Sequence, residues 1–432
     1  MKREVYSQLV NWKNDINKKP LVLRGARQVG KTWLLKEFGA NEYRETIYIN
    51  FEDNMALKNV FIQDFDIKRI LLALQIETGI KADAHNCLIV FDEIQEAPKG
   101  ITSLKYFYEK APEYHVIAAG SYLGISLHKT NSFPVGKVSF IDLSPLSFPE
   151  FLLAKDQGVL LELIRDREWS LISQFKQKYI GLLKEYYFVG GMPEVVKSFI
   201  EDYDFDKARK IQSDIINSYE QDFSKHAPPN IIPRIRMVWN SIPSQLAKEN
   251  KKFIFGMLKK GARSKDFELA LEWLIDSGLL HKVNRIKKPS MPLKAYEDLS
   301  AFKIFLNDCG LLSALVQLPS KTLLDGNKLF QEFKGALTEQ YVHQQLINYN
   351  PYYWSAENSS GEIDFLLQIK ESIIPIEVKS EENLKAKSLR AFTKKHKSEI
   401  AIRTSMSDYR EEDWLINIPL YALDAIGSLD LE

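Results

Sequence analysis

Cysteine is scarce in this chain of 432 residues, which contains two, Cys87 and Cys309. Two cysteines far apart in sequence exclude a disulfide framework and a cysteine-based zinc site, and they are typical of a reducing compartment. Apolar runs such as Cys87–Phe91 are much shorter than the ~20 residues that a membrane span needs. The first residues lack the apolar stretch of a secretion signal. We therefore expect a cytoplasmic protein without a membrane partner.

A large net charge is missing as well, because 58 Lys and Arg residues balance 57 Asp and Glu residues. A nearly neutral chain is not a histone-like electrostatic binder, although local basic patches are compatible with it. The composition, with 45% hydrophobic and 27% charged residues, is that of a globular protein. The length exceeds the ~100–200 residues of an ordinary domain, so we expect two to four domains.

The first third of the sequence alternates short apolar runs with amphipathic segments. The predicted strands are Leu21–Arg24, Thr46–Phe51, Leu88–Phe91 and His115–Ala119, and the predicted helices are Lys31–Glu37 and Ile67–Thr78. Because each pair of parallel strands needs a crossover connection, this alternation predicts an α/β fold with a parallel sheet. From about Ser147 the sequence becomes helical in its periodicity.

A phosphate-binding motif follows the first predicted strand. It reads Gly25-Ala26-Arg27-Gln28-Val29-Gly30-Lys31-Thr32, which fits the P-loop pattern. Glycines let the backbone wrap around a phosphate, and the helix that starts at Lys31 adds the positive end of its dipole. We expect Lys31 to contact the β- and γ-phosphates of ATP and the Thr32 hydroxyl to hold Mg²⁺.

Two acids follow the apolar strand Leu88–Phe91, and they complete the predicted nucleotide site. If this strand lies beside the P-loop strand, Asp92 reaches the magnesium through the water shell of Thr32. Glu93 then polarises the attacking water as a general base. Ser121, after the strand His115–Ala119, is the candidate for contacting the γ-phosphate, with a plain turn at the strand end as the alternative.

These motifs make the chain resemble the AAA+ superfamily of ATPases. The resemblance is closer to a bacterial and archaeal subgroup of predicted ATPases that write the P-loop as Gly-x-Arg-Gln-Val-Gly-Lys-Thr. Further signatures of the subgroup match the segments Leu143–Phe151, Gly190–Glu194 and Lys303–Leu312, the last of which we interpret as structural. Ala26 stands where the subgroup often has proline.

The resemblance also implies an arginine donated to the ATP site by a neighbouring subunit or domain. Arg234, Arg236 and Arg263 are candidates, and the sequence selects none of them. An AAA+ core often forms rings, so a homo-oligomer is one alternative, with monomers and dimers as the others.

The middle of the chain resembles a winged helix, which the subgroup is expected to carry here. The segment Phe253–Val283 predicts a helix, a turn at Gly261 and a second helix at Lys265–Ser277, and Arg285–Pro292 resembles the tip of a hairpin. Between Lys251 and Lys288 there are ten Lys or Arg residues against four Asp or Glu residues. A basic helix-turn-helix fits the DNA major groove, whereas the alternative is a packing module with a solvated basic face.

The last part of the chain contains a pattern of two acids and a lysine. Asp364 lies in one predicted strand, and Glu377 and Lys379 share one face of the next strand because they are two residues apart. Carboxylates are the ligands that Mg²⁺ prefers, and a nearby lysine can activate water or stabilise developing charge. The pattern resembles the PD-(D/E)xK nuclease site. This resemblance implies that Glu339, on the preceding helix, is a further metal ligand. The alternative is an ordinary charged hairpin.

A basic run is the last feature of this region. The segment Lys385–Lys397 holds six Lys or Arg residues and no acid. It either neutralises DNA phosphates or forms a solvated helix face.

Taken together, these features predict an α/β protein built on an AAA+ type P-loop sheet. The predicted domains are an ATPase core (1–145), a helical lid (146–225), a winged-helix-like domain (226–317) and, after a linker at Leu318–Lys328, a restriction-endonuclease-like domain (328–432). The first functional hypothesis is an ATPase that uses ATP and Mg²⁺ and acts on DNA through its last two domains. The second is a nucleotide-driven switch, in defence or signalling, whose nuclease-like domain binds a partner without cleaving. A scaffold that only binds nucleotide is the third, and Glu93 argues against it.

Overall fold

The structure, a computed structural model, describes residues 1–124, 134–248, 251–325, 331–356, 361–382 and 386–428. The chain divides into two compact units. The first comprises Met1–Pro145 and Trp273–Leu279, and the second comprises Leu146–Glu272 and Leu280–Glu432. No helix in the described ranges combines the length and the apolar character needed to cross a bilayer.

The first unit is built on a parallel sheet. Its strands are β1 (Leu21–Arg24), β2 (Glu45–Asn50), β3 (Cys87–Asp92), β4 (His115–Gly120) and β5 (Ser139–Asp142). Its helices are α1 (Val5–Asn14), α2 (Lys31–Glu42), α3 (Met55–Gln63), α4 (Ile67–Thr78) and α5 (Pro98–Lys110). Over the described residues the strand order is β2-β3-β4-β1-β5, and all pairs are parallel. The predicted α/β class with a parallel P-loop sheet is confirmed.

One detail of the sheet differs from the prediction. The strand β4 lies between β1 and β3, so the strand that ends in Asp92 is not beside the P-loop strand. Every residue of β3 and of β4 is buried, as expected for parallel strands covered on both faces. Because both strands are continuous apolar runs, their sequences do not indicate which of them pairs with β1.

The second unit begins with helices, as the change of periodicity near Ser147 predicts. They are α6 (Phe148–Ala154), α7 (Gly158–Arg165), α8 (Trp169–Gln174), α9 (Lys176–Val189), α10 (Pro193–Asp202), α11 (Phe205–His226) and α12 (Ile232–Leu246). The later helices are α13 (Ser264–Asp276), whose last turn belongs to the first unit, α14 (Cys309–Leu315), α15 (Ser320–Asp325), α16 (Gln331–Leu346) and α17 (Lys387–His396). The helix α15 occupies part of the predicted linker, whose residues 326–328 lie outside the described ranges.

A mixed sheet forms the rest of the second unit. Its strands are β6 (Leu280–Ile286), β7 (Glu297–Leu306), β8 (Tyr352–Ser355), β9 (Glu362–Ile369), β10 (Ser372–Val378), β11 (Ala401–Ser405), β12 (Arg410–Glu412) and β13 (Leu415–Pro419). Where the structure describes the chain, their order is β12-β13-β11-β10-β9-β8-β6-β7. The antiparallel hairpin β6–β7 from the middle of the chain pairs with β8 through β6. The hairpin and the C-terminal strands therefore share one sheet.

The prediction of a first helix for the helix-turn-helix is wrong. The segment after Phe253 forms a single 3₁₀ turn, Phe255–Met257, whereas the second predicted helix is present as α13. Fewer than ten residues separate Phe253 from the turn at Gly261, and Gly256 lies within them. A segment this short with an internal glycine does not sustain an α-helix.

Candidate active site

Two glycines shape the loop that follows β1. Gly25 has a φ of +154°, and a Cβ placed there would lie 2.3 Å from the carbonyl oxygen of Leu143. Gly30 has a φ of +95° in the left-handed region and precedes α2 without a side-chain cap. Both positions favour glycine for backbone reasons. The first N–H groups of α2 receive no cap from Gly30, which suits a helix N-terminus that binds an anion.

Lys31 lies in the centre of the loop and is 5% exposed. Its Nζ donates to the carbonyl oxygens of Gly25 and Ala26 at 2.9 and 2.8 Å, and to Oγ of Ser121 at 3.0 Å. Burial lowers the pKa of Lys31 to about 8, although the carboxylates of Glu93 and Asp92 oppose the decrease. The structure thus brings together the lysine of the P-loop and the serine after β4.

The other residues of the loop mainly define its backbone. Ala26 and Val29 are buried, and Gln28 adopts a φ of +67°. Arg27 lies close enough to Lys31 for its positive charge to act on that group. Ala26, Gln28 and Val29 therefore contribute the backbone and the packing of the loop.

A segment from far along the chain packs against this loop within the first unit. A Cβ on Gly278 would lie 3.1 Å from the backbone nitrogen of Ala26, and the rings of Trp273 and Tyr122 have centroids 5.8 Å apart. The close approach of two backbones explains why a small residue suits position 26. Trp273 in the last turn of α13 therefore contacts Tyr122, the residue next to Ser121, and Gly278 just after α13 lies against the phosphate loop.

Thr32, at the start of α2, contacts Asp92, although β4 separates β3 from the strand β1 that precedes the loop. The Thr32 hydroxyl donates to Oδ2 of Asp92 at 2.7 Å, and Asp92 is 1% exposed. A hydroxyl and a carboxylate at this distance are hard oxygen ligands of the kind that Mg²⁺ prefers. These residues therefore fit the predicted magnesium site.

Glu93 follows Asp92 in a left-handed backbone conformation with a φ of +50°. Its N–H donates to Oδ1 of Asp92 at 3.0 Å, and its carboxylate accepts from the side-chain amide of Gln95. Burial raises the pKa of Glu93, whereas Gln95 and the charge of Lys31 act in the opposite direction. A carboxylate with a raised pKa is a better proton acceptor, which suits a general base.

Two contributors to this site were missed in the sequence. The hydroxyl of Tyr48 donates to Oδ2 of Asp92 at 2.5 Å. Arg3 donates to the carbonyl oxygen of Val29 at 3.0 Å and to that of Ser144 at 2.5 Å. Alternation along β2 could have found Tyr48, because its neighbours Ile47 and Ile49 point into the core. Nothing near Arg3 in sequence points to the loop.

Replacing Tyr48 with phenylalanine tests its role as a positioning residue for Asp92. Without the hydroxyl, the carboxylate loses one of its two side-chain donors, so we expect the Mg²⁺ concentration for half-maximal phosphate release to rise by ~10–100-fold. Tyr114→Phe is the control, because Tyr114 directly precedes β4 at the end away from Ser121, and this variant should leave the Mg²⁺ dependence unchanged. An unaltered Mg²⁺ dependence in Tyr48→Phe would exclude this role.

The predicted C-terminal residues lie on three neighbouring elements. Glu339 is on α16, Asp364 on β9 and Glu377 on β10, while Lys379 directly follows β10. Oδ2 of Asp364 accepts from the N–H of Val378 at 2.8 Å, and Nζ of Lys379 lies 2.6 Å from Oε1 of Glu377. The side chains of Glu339 and Asp364 interact electrostatically: burial and the charge of Glu339 both raise the pKa of Asp364.

Two lysines that the sequence did not connect with this site pair with its acids. Lys251 donates to Oε1 of Glu339, and Nζ of Lys303 lies 3.6 Å from Oε2 of the same carboxylate. Nζ of Lys303 also lies 2.5 Å from Oε1 of Glu362. Burial alone would raise the pKa of Glu339, but Lys251 and Lys303 lower it. Among the described residues, no group of three or more His, Cys, Asp or Glu side chains is arranged to hold a metal ion.

Comparisons with known proteins divide the chain into three segments. Residues 17–152 match the family model described as an AAA domain. Residues 180–322 and 334–423 match two models that are each described as a domain of unknown function, DUF8612 and DUF4143. The comparison with curated proteins found no match. The first segment, which contains the P-loop and the acids of β3, is thus similar to the AAA domain family.

Several solved structures are similar to large parts of the chain at low identity. A Walker-type ATPase of Pyrococcus abyssi is 16% identical, with 73% of this chain and 95% of that chain covered and a TM-score of 0.45. Aeropyrum pernix Orc1, solved in complex with DNA, is 12% identical over 74% of this chain and 92% of its own, with a TM-score of 0.27. Pyrobaculum aerophilum Cdc6p is 14% identical, with 75% of this chain and 95% of that chain covered and a TM-score of 0.26.

Proposed function

We propose that the first unit binds ATP and hydrolyses it with Mg²⁺. One observation carries the proposal, namely two hydrogen bonds made by the first residues of α2. Lys31 donates to Ser121, which follows β4, and Thr32 donates to Asp92, which ends β3. Because the carboxyl ends of parallel strands meet at one edge of a sheet, these groups surround the loop in which a phosphate would lie. The match of this segment to the AAA domain supports the same function.

Each residue of the site has a distinct role in this proposal. The loop N–H groups and Lys31 bind the β- and γ-phosphates, and Thr32 with Asp92 holds the metal. Mg²⁺ supplies the positive charge that offsets the charge on the phosphates. Glu93 accepts a proton from the attacking water, and Ser121 contacts the γ-phosphate.

There are two candidate functions for the second unit, each driven by ATP hydrolysis in the first. In the first, the second unit acts on DNA through the winged-helix-like segment and the basic helix α17. That helix buries Leu389 and Phe392 and exposes Lys387, Lys394 and Lys395, which could neutralise DNA phosphates. Lys385, at the start of this basic run, lies outside the described residues.

In the second candidate, the protein is a nucleotide-driven switch whose C-terminal region binds a partner without cleaving it. The ion pairs of Lys251 and Lys303 with Glu339 favour this candidate. They occupy carboxylate oxygens that a nuclease would use for its metal.

Phosphate release measured with and without duplex DNA separates the two candidates. If the second unit acts on DNA, we expect DNA to raise the release rate several-fold. Charge reversal at Lys387, Lys394 and Lys395 should then remove the stimulation and leave the basal rate unchanged. Charge reversal at Lys81, an exposed residue of the first unit, is the control. A rate that does not respond to DNA would favour the switch.

A further inference from the structure

The carboxylates around β9 and β10 are accompanied by lysines of the same unit. The acids are Glu339, Glu362, Asp364 and Glu377, and the lysines are Lys251, Lys303 and Lys379. Glu339 and Glu377 are each 6% exposed. Buried carboxylates in a low-dielectric region require a compensating positive charge, which either a metal ion or an ammonium group can provide.

Lys303 is built into the centre of this cluster. It lies on β7 with 0% of its surface exposed, and its Nζ is 5.0 Å from the centre of the Tyr353 ring. Its ammonium group reaches Glu362 at 2.5 Å and Glu339 at 3.6 Å. Burial alone would lower the pKa of Lys303, but the carboxylates of Glu339, Glu362 and Asp364 raise it.

Lys251 forms an ion pair with the other carboxylate oxygen of Glu339. It pairs with Oε1, whereas Lys303 lies nearest to Oε2. The side chain of Lys251 is 10% exposed, so this contact lies at the edge of the cluster. Backbone pairing of Phe253 with Phe302 at 2.8 Å connects the segment of Lys251 to the strand that carries Lys303.

Each of the remaining acids contacts the protein through one of its carboxylate oxygens. Oδ2 of Asp364 accepts from the N–H of Val378, and Oε1 of Glu377 pairs with Lys379. Three ammonium groups therefore pair with three of the four carboxyl groups. The cluster is close to electrical balance without a divalent ion, and adding one would place two further positive charges beside three lysines.

We propose that Lys251 and Lys303 occupy the cation position of this carboxylate site in place of a divalent metal ion. The residues present do not fit a Mg²⁺ site in this arrangement, because both oxygens of Glu339 face ammonium groups: Oε1 is hydrogen-bonded to Lys251, and Oε2 lies 3.6 Å from Nζ of Lys303 without a hydrogen bond. The C-terminal region then uses its nuclease-like acids to hold β7, α16 and β9 together rather than to cleave DNA. This inference deepens the switch candidate and is independent of the ATP site.

Mn²⁺ binding to the full-length protein without nucleotide tests this proposal. All variants carry Asp92→Asn, so that the ATP site does not contribute to metal binding. In this background, we expect millimolar Mn²⁺ to leave the melting temperature unchanged and electron paramagnetic resonance to detect no Mn²⁺ bound through Glu339. Lys251→Met should melt several degrees lower and should regain much of the loss when Mn²⁺ is added. Adding Glu339→Gln to that variant should abolish the rescue.

Lys260→Met is the matched control, because Lys260 is an exposed lysine of the same segment. It should melt like the parent protein, with or without Mn²⁺. Glu339-dependent Mn²⁺ binding with both lysines intact would overturn the proposal. Failure of Mn²⁺ to stabilise Lys251→Met would also overturn it. Nicking of supercoiled plasmid by the otherwise unmodified protein with Mn²⁺, lost in Asp364→Ala, would contradict it independently, whether or not the Lys251 variant folds.

Discussion

Replacing Lys31 with alanine is expected to weaken ATP binding strongly. The ammonium group of Lys31 is buried and is held at the loop by two backbone carbonyls and Ser121. Removing one partner of a buried charge pair costs about 2–5 kcal/mol, which corresponds to a loss of roughly 30- to several thousand-fold in affinity. Isothermal titration of the purified protein with ATP and Mg²⁺ measures this loss.

The variant should still fold, since burial disfavours the charged form of Lys31 and the truncation removes this cost of burial. Circular dichroism melting checks this point. Lys68→Ala is the control, because Lys68 is an exposed lysine on a helix of the same unit. ATP binding that is equal in wild type, Lys31→Ala and Lys68→Ala would show that the nucleotide binds elsewhere.

Replacing Glu93 with glutamine is expected to separate binding from hydrolysis. The amide keeps the size of the side chain and can still accept from Gln95, so the loop after β3 should keep its conformation. It cannot accept a proton from water at neutral pH, and loss of a general base typically costs ~10²–10⁴-fold in rate. We expect phosphate release to fall by this factor while the Kd for ATP changes little.

Single-turnover phosphate release and ATP titration on the same preparation measure the two effects. The control is Glu113→Gln, because Glu113 is exposed and precedes β4. Hydrolysis that continues at the wild-type rate in Glu93→Gln would assign the base to another residue. A parallel loss of binding and hydrolysis would instead give Glu93 a structural role.

The parts of the fold that are encoded locally were predictable from the sequence. The P-loop, the apolar run that ends at Asp92 and the strand before Ser121 each consist of adjacent residues. Their periodicity and composition therefore indicate the correct elements. The order of the strands was not predictable in this way, because β3 and β4 are both buried apolar runs.

The site contacts that could not be predicted from the sequence join residues that are far apart in the chain. Arg3 reaches the carbonyl oxygen of Val29, and Lys303 reaches Glu339, across separations that no local pattern encodes. The segment of Lys303 was interpreted as structural, and its apolar neighbours give no sign of a charge partner. A buried lysine in an apolar strand is nevertheless an informative feature, since lysine is almost never fully buried unless it is paired.

The structure of the protein bound to Mg²⁺ and a non-hydrolysable ATP analogue is the decisive test of the proposed ATP site. We expect the γ-phosphate to lie within hydrogen-bond distance of Lys31 and Ser121. We also expect the metal to be bonded to the Thr32 hydroxyl, beside Asp92. A nucleotide bound away from the loop between β1 and α2, or a metal that does not involve Thr32 and Asp92, would contradict it.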